Sequence, residues 1–183
     1  MFRQESGSHM KHKLKRGLFL LCSVGAVLGI GLALLFWWGR QRRINAAFPP
    51  EVKLTLDKCD KFYLYSLQSE RLPQTDLKTM PNFHGYPILG QTRVRPTPQR
   101  ADLLAALRDG LGKNSNCACF APHYGVRVVR GNQTVDLLIS FECEQMEIYG
   151  ARGLHRISVS SSATSVFNHT LAEYDVPLPQ PQH

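Results

Sequence analysis

Apolar residues are distributed along this chain in two different ways. Over residues 17–38 the run GLFLLCSVGAVLGIGLALLFWW carries no charge at twenty-two consecutive positions, the length needed to cross a hydrocarbon core of about 30 Å as a helix. Beyond residue 50 apolar positions alternate with polar ones or recur at helical spacing. The pattern predicts one transmembrane helix over 17–38, a linker over 39–50, a single domain over 51–178 and a short flexible tail, PLPQPQH, of which 179–183 lie outside the domain.

The flanks of the run fit a span. Lys11, Lys13, Lys15 and Arg16 precede it, Arg40, Arg42 and Arg43 follow it, and Trp37 and Trp38 stand at the position of an interfacial aromatic belt. A cleaved signal peptide has a shorter apolar run and a small-residue cleavage site, where this chain has arginines. The expectation is an uncleaved anchor, with residues 1–16 as a basic cytoplasmic tail and the domain exported. Ser6-Gly7-Ser8-His9-Met10 has the form of an expression-tag scar, so residues 1–10 carry no weight in this reading. Gly25 and Gly29, four apart, allow a homodimer through the span.

Within the domain, Val135, Leu137, Ile139, Phe141 and Cys143 alternate with Thr134, Asp136, Leu138, Ser140 and Glu142, a period of two that describes a strand with one buried face. Arg130-Gly131-Asn132-Gln133 is a tight-turn signal, and Val126-Arg127-Val128 alternates before it. With Gly131 and Asn132 as the turn, Val128 faces Val135 and Val126 faces Leu137. Residues 51–56, 61–67 and 154–160 also read as strands. Residues 97–111 read as a helix with Thr97 as N-cap, Pro98 in the first turn, a stripe of Leu103, Leu104, Leu107 and Leu111, and Gly110 or Gly112 at its end. A shorter helix is expected over 162–174. The fold class expected is α+β, an antiparallel sheet carrying two or so helices.

Charge changes the picture of partners. The whole chain has a formal net charge of +8, but residues 44–183 hold fourteen Lys or Arg against thirteen Asp or Glu. The basicity therefore belongs to the anchor, where it meets anionic headgroups, and nucleic acid is not expected as a partner.

The segment Asn116-Cys117-Ala118-Cys119-Phe120-Ala121-Pro122-His123-Tyr124-Gly125 raises the question of cysteine chemistry. In an exported domain Cys59, Cys117, Cys119 and Cys143 form an even set, open to three full pairings. The hairpin register, carried backwards, sets Phe120 opposite Cys143 and Cys119 opposite Glu144, and a bulge near Pro122 and Gly125 brings Cys119 within reach of Cys143. A disulfide from Cys143 to Cys119 or Cys117 is expected. Cys117, Cys119, His123 and Cys143 are also the ligand types of a tetrahedral zinc site, though Cys-x-Cys is tighter than the usual knuckle. Thiol–disulfide cycling lacks its Cys-x-x-Cys motif. No cofactor is expected, with zinc as the alternative. Glu142 and Glu144 are assigned to the solvated face and end of the long strand.

Phe62-Tyr63-Leu64-Tyr65-Ser66-Leu67, then Phe83-His84-Gly85-Tyr86 with Leu89-Gly90, then Cys119-Phe120-x-Pro122-x-x-Gly125, then Val135-Asp136-Leu137 running into Phe141-Glu142-Cys143, resemble in their order a group of small exported bacterial proteins, often lipoproteins or membrane-anchored, that has no assigned activity. The resemblance implies an exported bacterial protein and nothing about chemistry. Here the span takes the place of a lipid attachment.

No hydrolase, metalloprotease, phosphate-loop or dinucleotide motif is present. His84-Gly85-Tyr86-Pro87 and Pro122-His123-Tyr124-Gly125 each place a histidine and an aromatic in an expected turn, so His84, Tyr86, His123 and Tyr124 are the candidate binding-loop residues. The function expected is a non-enzymatic, membrane-anchored binding or accessory module of the bacterial envelope, possible forms being an inhibitor or an immunity-type protein. It is placed in the inner membrane as a single-pass protein with a periplasmic or extracellular domain and an envelope protein as partner. The alternative is a small thiol or zinc enzyme built on Cys117, Cys119, His123 and Cys143.

Overall fold

The computed structural model describes residues 48–96, 98–112, 119–150 and 153–180. The predicted span, its basic flanks, Thr97 and Cys117 lie outside the described residues. The chain divides into two units, Met1–Arg42 and Arg43–His183, and every described residue belongs to the second. Among the described residues no helix is long and apolar enough to cross a membrane.

The architecture is α+β. Seven strands, β1 (Lys61–Leu67), β2 (Asn82–Phe83), β3 (Tyr86–Arg93), β4 (Tyr124–Arg130), β5 (Gln133–Ser140), β6 (Gln145–Gly150) and β7 (Gly153–Ser158), form one sheet in the order β2-β3-β1-β4-β5-β6-β7. All neighbours are antiparallel. Among the described residues, three α-helices, α1 (Pro50–Asp57), α2 (Pro98–Asp109) and α3 (Thr164–Glu173), and a 3₁₀ turn at Ser161–Ala163 accompany it.

The β4–β5 hairpin has the register read from the sequence, with Val128 opposite Val135 and Val126 opposite Leu137. Gly131 supplies the positive φ of +55° that its turn requires. The long strand is shorter than expected. It ends at Ser140, and residues 141–144 make a turn in which Glu144 takes φ +50°. Glu142 and Glu144 thus sit on a turn, not on the face of a strand, and β6 begins immediately afterwards as the partner of β5.

Residues 51–56 are a correction. They form most of α1, although Val52, Leu54 and Leu56 alternate like a strand. Pro49 and Pro50, expected to close a linker, stand at the N-cap and first position of this helix, where a missing N–H costs nothing and φ is already set. The buried positions are Val52, Thr55 and Leu56, a helical spacing, while Leu54 is exposed. Phe48, within the expected linker, already lies in the core at 2% exposure.

One face of the sheet is apolar. Phe62, Leu64, Val126, Val128, Val135, Leu137, Ile139, Met146 and Ile148 join Leu103 and Leu107 of α2 and Phe167 and Leu171 of α3 in the main core. Burial of such side chains contributes about 1.5–3 kcal/mol each. Helix α1 lies against β4 and β5, and α2 packs against α3.

The other face carries a second cluster, Tyr65, Leu67, Phe83, Tyr86 and Leu138. Phe83 enters it from the β2–β3 hairpin and stacks on Tyr65, with centroids 4.5 Å apart. A Cβ at Gly125 would stand 2.8 Å from Phe83 Cδ1, so the absence of a side chain in β4 admits the ring. Gly125→Ala is expected to cost about 2 kcal/mol, read from urea unfolding, because Phe83 is fully packed and has to move.

Candidate functional site

Strand alternation places Arg127 of β4 and Asp136 of β5 on that second face, directly opposite one another. Arg127 Nε and Nη2 donate to Asp136 Oδ1 and Oδ2, both at 2.7 Å, a bidentate pair. The Asp136 side chain is 8% exposed, that of Arg127 40%. His84 Nε2 lies 2.8 Å from Asp136 Oδ2. It arrives from the β2–β3 turn, where His84 at φ +54° and Gly85 at φ +91° form the two-residue loop between paired Phe83 and Tyr86. The imidazole is fixed on both sides, edge-on to Phe83 at 4.9 Å and stacked on Tyr149 of β6 at 3.9 Å.

A second ion pair continues the face. Glu147 of β6 and Arg156 of β7 are cross-strand partners and joined by a hydrogen bond, while Tyr149 Oη donates to Glu147 Oε2 at 2.8 Å. On this face Arg71 covers the ring of Tyr86, Arg127 that of Phe83 and Arg156 that of Phe120, at 5.2–5.6 Å from the ring centroids. The face is therefore rigid below and charged above.

Burial alone would push the Asp136 carboxyl up, but the hydrogen bonds from Arg127 and His84, with their charges, hold it below the ordinary carboxylate range. A depressed folded-state value means stability that is present above the unfolded value and lost as pH falls through the folded one. Stability should therefore drop on acidification below about pH 4, and the slope should flatten in Asp136→Asn, as read by urea midpoints across pH. Burial likewise pushes Tyr149 up to about 12, helped by Glu147, so the phenol keeps its proton.

The four candidate loop residues do not come together in one patch. His84 and Tyr86 belong to the face just described. His123 and Tyr124 do not form an exposed turn: Tyr124 begins β4, and His123 is clamped into the sheet by backbone bonds to Leu67 and Ile139. Both are at least 96% buried, because the segment enters the centre of the sheet between β1 and β5. Tyr124 packs with Phe141 and Phe167 and donates to Asn168 Oδ1 at 2.7 Å.

Cys119 and Cys143 are joined as a disulfide, with Cα atoms 6.0 Å apart. Cys59 is a free, buried thiol, a correction to its place among the pairing candidates. Burial pushes its thiol up, against the lowering influence of Arg100, which keeps it protonated and unreactive. Cys117, a candidate for both disulfide and zinc, is outside the described residues. Among the described residues no group of three His, Cys, Asp or Glu is placed to hold a metal ion.

The Arg127–Asp136–His84 and Glu147–Arg156 clusters escaped the sequence reading, which treated Asp136 as one polar step in an alternating strand. A signal for the first half existed, since the predicted register already sets Arg127 across from Asp136. No family model, curated protein or solved structure matches the chain.

Proposed function

We propose that this protein is a non-enzymatic binding module of the bacterial envelope, anchored by residues 17–38 in the inner membrane with its domain exported, and that it engages a protein partner through the face around His84, Tyr149, Arg127 and Arg156. The observation that carries the reading is the pre-ordered aromatic–arginine surface. Arginine and tyrosine on a rigid base are the residue types that dominate binding energy at protein interfaces, since they bring large contact area with little ordering left to do. Arg71, Arg127 and Arg156 border the surface, while Asp136 and Glu147 are each 8% exposed and already engaged. The charge left facing outward is positive, so the complementary partner is an acidic protein surface. The Cys119–Cys143 disulfide supports an oxidising compartment.

The test is a photo-crosslinking amino acid at Tyr63, half-buried on this face, or at Asp102, exposed on α2, in the full chain expressed in a bacterial envelope. A discrete protein adduct from the Tyr63 position, none from Asp102, and loss of that adduct in Arg156→Glu is the expected result. Adducts at both positions, or at neither, would sink the reading.

A further inference from the structure

Strand β2 pairs with β3 only at Tyr86 and Pro87, so among the described residues no strand lies beside residues 89–93 on the side away from β1. Val94 N–H donates to Phe62 C=O at 2.9 Å, which makes the two a closely bonded pair, and alternation gives the same role to Leu64 with Thr92 and Ser66 with Gly90. The N–H and C=O groups of Gln91 and Arg93 therefore point outward, away from β1. Both residues are exposed, and neither side chain has a hydrogen bond or ion pair among the described residues. A row of backbone groups in that state is a template for another strand. The border at β7 differs, because there Ser158 C=O already accepts from Gly112 N–H.

Beside this border lies a hollow of about 380 Å³ whose lining includes Gln68, Glu70, Leu89, Pro177 and Leu178. Leu89 and Leu178 are exposed apolar side chains. A Cβ at Gly90 would stand 2.8 Å from Val176 Cγ1 and 2.9 Å from Pro177 Cδ, so the bare glycine seats the chain after α3 against β3 and fixes that wall. An extended peptide paired along residues 89–93 brings a side chain to the hollow at one end. Backbone bonds joined to a side-chain pocket are the two parts of strand addition. Charge selects what the peptide carries. Arg93 is the charged residue of β3, while the hollow at the other end holds Glu70. An acidic residue therefore fits opposite Arg93 as a cross-strand pair, and an apolar one fits beside Leu89 and Leu178. A second copy of this border would bring arginine without an acid, which disfavours self-pairing.

We propose that the border of β3 at Gln91 and Arg93 takes an extended segment of another protein, acidic at one end and apolar at the other, as an added antiparallel strand. All neighbours in this sheet are antiparallel, and that pairing is the more stable per residue. The contact uses none of His84, Tyr149, Arg127 and Arg156, so it and the aromatic–arginine face can each fail alone. Affinity comes from the backbone bonds to Gln91 and Arg93, and selectivity from the ion pair at Arg93 and the apolar side chain in the hollow.

The full chain, labelled with ²H and ¹⁵N and held in detergent, is titrated with acetyl-Glu-Val-Thr-Val-Leu-amide, which sets its acid opposite Arg93, its threonine opposite Gln91 and its leucine at the hollow. The control is the same peptide N-methylated at the acid and the threonine, which keeps every side chain and removes the N–H groups that meet the two outward carbonyls. The expected result is a saturable shift and slowed exchange of the Gln91 and Arg93 amides, absent with the methylated peptide, and affinity weakened about tenfold in Arg93→Glu. Arg93 is exposed, so this variant keeps the fold, and unmoved amide resonances elsewhere verify that it does. No shift up to about 10 mM peptide, shifts centred on β7 or on the aromatic–arginine face, or equal binding of the methylated peptide would overturn the proposal. So would unchanged affinity in Arg93→Glu, or the same shifts on concentrating the protein alone, which would mean self-pairing.

Discussion

Replacing Asp136 by alanine is expected to lower the unfolding free energy by about 2 kcal/mol and to weaken capture at the aromatic–arginine face. The carboxylate receives two bonds from Arg127 and one contact from His84 while itself nearly buried. Its removal leaves a guanidinium and an imidazole without their acceptor. Arg127 is 40% exposed and recovers part of its hydration, which holds the loss below the 3–5 kcal/mol of a fully buried pair. His84 loses the contact that joins the β2–β3 turn to β5, so the turn and its Phe83 should loosen together. Urea unfolding of the full chain, beside crosslinking from Tyr63, measures both effects. A stability change under about 0.5 kcal/mol would mean that the cluster decorates the face without organising it.

The disulfide carries the other large effect. Cys119→Ala combined with Cys143→Ala should cost about 3 kcal/mol, the loop-closure contribution expected for the 24-residue separation of the two cysteines. The consequence is local as well as global. The bond ties the segment entering β4 to the turn leaving β5, so its loss should free both segments before the domain unfolds. Reduction with dithiothreitol should reproduce the double variant. Unfolding midpoints that do not move on reduction would show that the sheet alone holds these segments.

The aromatic–arginine face and the cleft beside the disulfide draw on different parts of the same scaffold. The aromatic–arginine face depends on cross-strand pairs fixed by β4, β5, β6 and β7, with Phe83, His84 and Tyr86 delivered from the far side of β1 by the β2–β3 hairpin. The cleft depends on where β4 enters the sheet and on α3 beyond it. Loss of the Asp136 cluster should leave the cleft intact, and loss of the disulfide should leave the Arg127–Asp136 pair in place. Additivity of the two stability changes in the combined variant would confirm that separation.

The alternation of residues 126–139, the Gly131-Asn132 turn and hence the register of β4 on β5, the leucine stripe of α2 and the α+β class were all legible along the chain. These are local properties, set by side-chain alternation and turn chemistry within a few residues. The same register contained the Arg127–Asp136 pair. Where local signals were ambiguous, tertiary packing decided. Residues 51–56 alternate as a strand would, yet become a helix because Val52, Thr55 and Leu56 bury against β4 and β5 once Pro50 starts the turn. His123 and Tyr124 look like turn residues beside Pro122, yet they are drawn into the sheet because β1 and β5 both pair with that segment. The meeting of His84 with Asp136 and Tyr149 joins residues 52 and 65 positions apart. Only the folding of the hairpin over the sheet decides such a contact, because no periodicity along the chain encodes which distant side chain closes on which.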